Sequence, residues 1–283
     1  MQQTAIAAAS PLAPAASSGI ENSEGPERPG PEGTPPRNLP AVAMNQQLST
    51  SLIWAFGSKP QHGWMIYVPL ICHIIKADSA ITTDEFARSL SRWQASRGMT
   101  ASGVLDGDTW GAMIRELQAH RIKTSQYPPA DQLVTVAATG FWDQARPEEL
   151  RQVERETYAA YKRMVSAAIA DRSLHLSGSE TGGLSSGEQY LKIISAFRPR
   201  EYQDQLRRQS PNSDRAGLAI NSPHFTGRAL DLYVGGEPVS TKDENRLAQS
   251  RTPVYQWLVK NALRFGFRPY FYEPWHWEYN PSG

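Results

Sequence analysis

The fold and the chemistry of the chain are indicated most directly by the stretch SPHFTGRALD, which runs from Ser222 to Asp231. It places His224 seven residues before the aspartate, and Gly227 between them allows a tight turn. Asp231 lies in the apolar run ALDLYV (229–234), where a carboxylate is costly unless it is paired or binds a cation. The stretch therefore predicts one half of a metal site, on a turn and the strand that follows it.

The second half of the site is predicted near the end of the chain by the cluster EPWH, from Glu273 to His276. This histidine stands between two tryptophans, which is an unusual place for a freely solvated imidazole. Two imidazoles and one carboxylate with an open fourth position are the ligands that a catalytic zinc needs. We therefore predict one Zn²⁺ per chain, bound by His224, Asp231 and His276. Glu273 is then placed to act as the general base toward the attacking water.

Glu278 is the alternative base, because on a regular strand it shares a face with His276. Alternatively, Glu278 is a surface residue or a residue that contacts a metal ligand without binding the metal itself. The remaining histidines have no partner at ligand spacing and are expected to be structural or exposed: His62, His73, His120 and His175. Cys72 lies in an apolar run and is expected to be a small buried hydrophobe rather than a nucleophile.

The composition narrows the possible partners. The 283 residues carry a net charge of only +1, which gives no electrostatic case for binding nucleic acid or an anionic membrane surface. A single cysteine excludes an internal disulfide. The apolar run 64–75 is too short to span a bilayer, so no transmembrane segment is expected.

Four parts are expected along the chain. Residues 1–47 are rich in Pro, Gly, Ser and Ala and should form a disordered tail, because they cannot bury enough apolar area to offset chain entropy. Residues 48–122 are expected to form a small three-helix bundle, and residues 123–140 are expected to form a linker. Residues 141–283 mix strands and helices without regular alternation, which indicates the α+β class. The apolar spacing predicts that this last part opens with a long helix from Pro147 to Asp171.

A resemblance is visible within the predicted bundle. FARSLSRWQASRGM (86–99), followed by GVLD (103–106) and Thr109-Trp110, resembles the three-helix repeat of peptidoglycan-binding domains. The similarity covers about half of that unit and implies that residues 48–122 bind the bacterial cell wall. The alternative is a helical bundle with tryptophans in its core and no ligand.

A second and more specific resemblance covers residues 141–283. SxHxxGxAxD (222–231) together with ExxH (273–276) resembles the zinc D-Ala-D-Ala carboxypeptidases, a family in the group that also contains zinc D,D-dipeptidases, lysostaphin-like endopeptidases and the hedgehog signalling domain. The resemblance implies their fold and a zinc peptidase site. It also implies that Arg198 stabilises the developing oxyanion or binds the polar end of the substrate. Ser222 and Gln203 would hold substrate or support the site, the alternative being plain turn and helix roles.

The function that these resemblances imply is zinc-dependent hydrolysis of peptidoglycan stem peptides. The expected bond is the terminal D-Ala-D-Ala link, with release of D-alanine. The alternatives are a D,D- or L,D-endopeptidase that cuts cross-links, and a non-catalytic zinc-binding module that recognises the wall. The expected location is the periplasm or the extracellular cell wall, where the N-terminal bundle would tether the enzyme to peptidoglycan.

Overall fold

The structure, a computed structural model, describes residues 40–57, 59–78, 80–209 and 222–282. Most of the expected tail, residues 1–39, lies outside this range. The segment 41–47, also expected to be tail, instead belongs to a helix, α1 (Ala41–Ser51). The side chain of Asn45 anchors this helix, donating to the carbonyl of Gly103 and accepting from the N–H of Leu105, both at 2.8 Å. The two partners lie 58 and 60 residues away, so the local composition does not reveal the helix.

The N-terminal unit combines helices with a small hairpin. After α1 it contains β1 (Ile53–Phe56), β2 (Lys59–His62), α2 (Val68–Ile75), α3 (Asp84–Ser96) and α4 (Gly107–Ala119). The two strands pair antiparallel with each other. The last three helices occupy the region where a three-helix bundle was predicted, and α1 with the hairpin adds to them.

The residues that resemble the peptidoglycan-binding motif lie inside this unit. Trp93 and Trp110 are 6% and 1% exposed. Gln94 is also buried, and it accepts from the N–H of Gly103 at 2.8 Å and donates to the carbonyl of Val104 at 2.9 Å. These contacts fix the loop between α3 and α4. The motif residues thus maintain the fold of the unit, and its binding to the wall stays a prediction.

The C-terminal unit is built on a four-stranded antiparallel sheet. The strands and helices are β3 (Leu133–Thr135), β4 (Gln152–Glu154), α5 (Arg155–Ala170), β5 (Ile193–Ser195), α6 (Arg200–Gln209), β6 (Ala229–Leu232), α7 (Asp243–Ser250), α8 (Pro253–Asn261), β7 (Phe267–Pro269) and β8 (His276–Tyr279). The sheet order is β5-β6-β8-β7. Mixed helices and small sheets agree with the predicted α+β class. Within the described part of the chain no helix has the length and apolar character needed to cross a bilayer.

Two local predictions differ from the structure at the start of this unit. The predicted long helix from Pro147 begins only at Arg155, because Val153 pairs with Val134 of β3 in a two-stranded sheet. Glu154 then caps α5, its carboxylate accepting from the N–H of Thr157 at 2.8 Å. Residues 133–135, in the segment expected to be a linker, form the partner strand. The apolar spacing could not distinguish this strand from a first helical turn.

The two units share one buried core. Trp54, Tyr67 and Trp110 of the N-terminal unit surround Phe271, with ring centroids 5.6 to 6.4 Å apart. Phe56 stacks on Tyr272 at 4.6 Å. The loop that leads into β8 is therefore packed directly against the helical unit.

Arg246 of α7 strengthens this contact from inside the core. Its side chain is fully buried, and it donates to the hydroxyl of Tyr67 at 2.8 Å and to Gln61 at 3.2 Å. Its guanidinium lies 4.1 Å from the ring centroid of Tyr272. Polar as well as apolar contacts thus join the helical unit to the loop before β8.

Candidate metal centre

His224 is held in place by the short turn that carries it. A 3-10 turn, Pro223–Thr226, begins at Ser222, whose hydroxyl accepts from the N–H of His224 at 3.3 Å. Gly227 ends the turn with φ +67°, a conformation that other residues rarely adopt, and an added Cβ there would lie 3.0 Å from the backbone nitrogen of Glu154. The structure therefore gives Ser222 a capping contact behind His224, and its predicted contact with substrate stays a prediction.

The other two predicted ligands lie opposite each other on neighbouring strands. Asp231 of β6 pairs in register with His276 of β8. Oδ1 of Asp231 lies 2.9 Å from Nδ1 of His276, and Oδ2 lies 3.3 Å from Nε2 of His224. One ligand atom from each of the three residues lies within 4.8 Å of the others, and all three side chains are buried. The structure thus brings together the three residues that were predicted from the sequence to bind one metal ion.

The outer nitrogen of each imidazole is also engaged. Nδ1 of His224 lies 2.7 Å from the carbonyl oxygen of Ala196, which can only accept, so this nitrogen carries the proton and the neutral imidazole has its lone pair on Nε2. Nε2 of His276 lies 3.2 Å from Oε1 of Glu278, while Nδ1 faces Asp231. Two imidazoles oriented in this way and one carboxylate form a donor set that suits zinc.

Arg198 lies at the edge of this cluster. Its Nη2 donates to Oδ2 of Asp231 at 2.7 Å and lies 3.2 Å from Nε2 of His224. Its Nε donates to the hydroxyl of Ser195 at 2.9 Å, and its Nη1 to Oε1 of Gln203 at 3.3 Å. The guanidinium is therefore oriented from behind by two buried polar residues, one of which, Ser195, the sequence analysis did not select. Gln203 contacts the arginine, and its predicted contact with substrate stays a prediction.

Burial and the charges of the cluster shift the pKa of all three candidate ligands. Burial opposes ionisation of Asp231, but His224, His276 and Arg198 hold its pKa well below the ordinary value. Burial and the nearby guanidinium lower the pKa of His224 to about 4, so its imidazole is neutral at neutral pH. Burial also disfavours the charged form of His276, but hydrogen bonds to Asp231 and Glu278 outweigh it and raise its pKa to about 9.

Glu273 lies in the turn that leads into β8. Its backbone N–H donates to the carbonyl of Tyr270 at 3.2 Å, and its carbonyl accepts from the N–H of His276 at 3.0 Å. Burial raises the pKa of its carboxyl group to about 7, against the opposing charges of His276 and Arg121. A carboxylate that titrates near neutral pH is suited to accept and return a proton.

Glu278 is less suited to that role, because its carboxylate is already bound on both oxygens. Oε1 accepts from Nε and Nη2 of Arg121 at 2.9 and 2.5 Å, and Oε2 accepts from the N–H of Ile122 at 2.6 Å. Burial acts to raise its pKa, but the bonds from His276 and Arg121 lower it to about 2. Its spacing from His276 indicated the shared face, whereas nothing in the sequence near Arg121 indicated that this residue reaches the site.

The residues that were not expected to bind metal are not part of the candidate cluster. The four remaining histidines are exposed and fall outside the metal cluster found among the described residues: His62, His73, His120 and His175. Cys72 is half-buried, and burial raises the pKa of its thiol to about 11. A thiol with that pKa is a poor nucleophile at neutral pH.

Comparison with known proteins finds a family model that matches the part of the chain carrying the site. Residues 150–282 match the model of the VanY family, described as D-alanyl-D-alanine carboxypeptidase. This range is slightly less than half of the chain, and it includes all three candidate ligands together with Glu273 and Arg198. A search of curated proteins finds no match.

Proposed function

We propose that the protein is a zinc-dependent carboxypeptidase of peptidoglycan stem peptides, because residues 150–282 match the D-alanyl-D-alanine carboxypeptidase family model. The bond cleaved would be the terminal D-Ala-D-Ala link. The products would be D-alanine and a stem peptide shortened by one residue.

One observation carries this proposal: His224, Asp231 and His276 converge beside a buried carboxylate, Glu273, whose pKa lies near neutrality. Burying these carboxylates is costly without positive charge, which Arg198 supplies to Asp231 and a bound cation would supply to the whole cluster. The donors are two imidazoles and one carboxylate, which is the ligand set of catalytic zinc sites that keep a position open. The residues present therefore fit a zinc ion.

The chemistry follows from the roles of the surrounding side chains. When bound, Zn²⁺ supplies Lewis acidity toward water and toward the carbonyl oxygen of the scissile bond. Glu273 accepts the proton of the attacking water as the C–O bond forms. It then passes this proton to the departing nitrogen as the C–N bond breaks, so that D-alanine leaves with a neutral or protonated amine. Arg198 supplies positive charge next to the ligands, where negative charge develops on the carbonyl oxygen.

The substrate also sets the place of action. Peptidoglycan lies outside the cytoplasmic membrane, so the proposal puts the protein in the periplasm or at the extracellular wall. The resemblance of the helical unit to peptidoglycan-binding domains supports a second contact with the wall. Such a contact would raise the local concentration of the enzyme on its substrate.

The proposal is tested with purified full-length protein, Zn²⁺ and two substrates. A soluble pentapeptide ending in D-Ala-D-Ala should release free D-alanine, which is detected by mass spectrometry. Purified sacculi should show pentapeptide stems converted to tetrapeptides. The His276→Ala variant is the control, and it should bind no zinc and release nothing.

Other products would point to the alternatives. Loss of cross-linked dimers without release of D-alanine would identify an endopeptidase and contradict the carboxypeptidase assignment. Zinc binding without any product from either substrate would indicate a recognition module and would refute hydrolysis altogether.

A further inference from the structure

The candidate metal centre is connected to the N-terminal unit through one buried carboxylate. Glu278 follows His276 by two positions on β8, so both side chains lie on the same face of the strand. Oε1 of Glu278 lies 3.2 Å from Nε2 of His276. Both nitrogens of this imidazole face a carboxylate, which can only accept, so a metal bound at Nδ1 would replace the proton shared with Asp231 and leave the proton on Nε2 donated to Glu278.

Arg121, which follows α4, fixes the position of that carboxylate. Its guanidinium donates to the same oxygen from Nε and Nη2, at 2.9 and 2.5 Å. The backbone N–H of Ile122 holds the second oxygen at 2.6 Å. These contacts join residues 157 and 156 positions apart, and the Glu278 side chain is only 2% exposed. The carboxylate therefore has little freedom to rotate.

Tyr270 provides a second connection between the same groups. The guanidinium of Arg121 lies 3.8 Å from the centroid of the Tyr270 ring. That ring in turn packs edge-on against the imidazole of His276, with centroids 5.7 Å apart. A planar guanidinium that both binds a carboxylate and stacks on an aromatic ring constrains orientation in a way that a lysine cannot reproduce.

We propose that Arg121 is a positioning residue of the metal centre, acting through Glu278 to orient the imidazole of His276. The inference rests on the proposed function, since it assigns His276 to a bound zinc ion. It makes the end of the helical unit part of the metal site. The unit would then contribute to the affinity for the metal, in addition to any role in contacting the wall.

The magnitude expected follows from comparable contacts in other metal sites. Partners that hold a ligating histidine from behind commonly change metal affinity by about 10- to 100-fold when they are removed. Arg121 is one step further from the metal than such a partner. We therefore expect Arg121→Ala to weaken zinc binding by about 10-fold, at the lower end of that range.

The test measures the affinity of the full-length protein for Zn²⁺ alone, by competition with a chromophoric chelator. The visible spectrum of the Co²⁺ form reports the geometry of the site independently of activity. The variants are Arg121→Ala, Arg121→Gln, Glu278→Gln and the double variant of Arg121→Ala with Glu278→Gln. The matched control is Arg97→Ala, because Arg97 makes a similar two-point contact with Glu116 at 3.0 and 2.9 Å, but on the surface of the same unit.

The proposal expects weaker zinc binding and an altered Co²⁺ spectrum in Arg121→Ala, with both unchanged in Arg97→Ala. Arg121→Ala should lower zinc affinity less in the Glu278→Gln background than in the wild type, because Arg121 acts through Glu278. Wild-type affinity and spectrum in a folded Arg121→Ala protein would overturn the proposal. If that variant does not fold, Arg121→Gln decides in the same way, since it keeps much of the side-chain length and one donor group. Failure of the wild-type protein itself to bind zinc would instead refute the proposed function.

Discussion

Asp231 and His276 face each other across β6 and β8, with Oδ1 and Nδ1 2.9 Å apart. The neighbouring pair on the same strands, Leu230 and Trp277, is buried as well. A slip of β8 by one residue would turn His276 to the face of the sheet opposite Asp231 and separate the two candidate ligands. The apolar packing that specifies the register therefore also assembles the candidate metal centre.

Glu273→Gln should separate zinc binding from turnover. The amide keeps the size of the side chain but cannot accept and return a proton. A general base contributes about 10²- to 10⁴-fold to rate, so kcat should fall by at least about 10²-fold. Zinc content, measured by atomic emission after gel filtration, should match the wild type. Retained activity would show that another residue is the general base.

The same substitution should change how the stability of the metal-free protein depends on pH. Burial raises the pKa of Glu273 from 4.5 to about 7, so the folded state binds its proton more tightly than the unfolded state. The stability that comes from this proton is fully present below about pH 4.5 and is lost as the pH rises to about 7. The unfolding free energy of the wild type, minus that of Glu273→Gln, should decrease across this window and be flat above it. Urea titrations in the presence of a chelator measure this difference, and a difference independent of pH would contradict the shift.

Two of the three candidate ligands could be predicted from the sequence because they conflict with their surroundings. An aspartate within ALDLYV (229–234) and a histidine between Trp275 and Trp277 both require a compensating partner. The spacing within each segment limited the possible geometry of the site. The resemblance to zinc peptidases indicated that the two segments bind the same metal ion.

Arg121 shows what the sequence could not reveal. It stands in a charged, exposed-looking segment, HRIK (120–123), with no apolar pattern around it. Its role depends on a partner 157 residues away, and on the packing of Trp54 and Trp110 against Phe271, which brings the two units together. Contacts of this kind are specified by the whole core, so local spacing carries no information about them.

Cys72 should react slowly with thiol reagents in the native protein. Burial raises the pKa of the thiol to about 11, which leaves roughly one thiolate in a thousand at pH 8. Labelling with Ellman's reagent at pH 8 should therefore be much slower than in urea-unfolded protein, where the thiol has its ordinary pKa. Equal rates in the two states would show that the side chain is reactive and accessible.

Phe271→Ala should destabilise the whole molecule, because Phe271 lies in the core shared by the two units. The side chain is 1% exposed, and its ring packs against Trp54, Tyr67 and Trp110 of the N-terminal unit. Removing a buried phenylalanine ring costs about 3–5 kcal/mol of unfolding free energy. Ile53→Ala is the control, because that side chain is 68% exposed and its truncation should change stability by no more than about 0.5 kcal/mol. Denaturant unfolding followed by tryptophan fluorescence measures both variants. A loss of less than 1 kcal/mol in Phe271→Ala would mean that the two units do not depend on each other for stability.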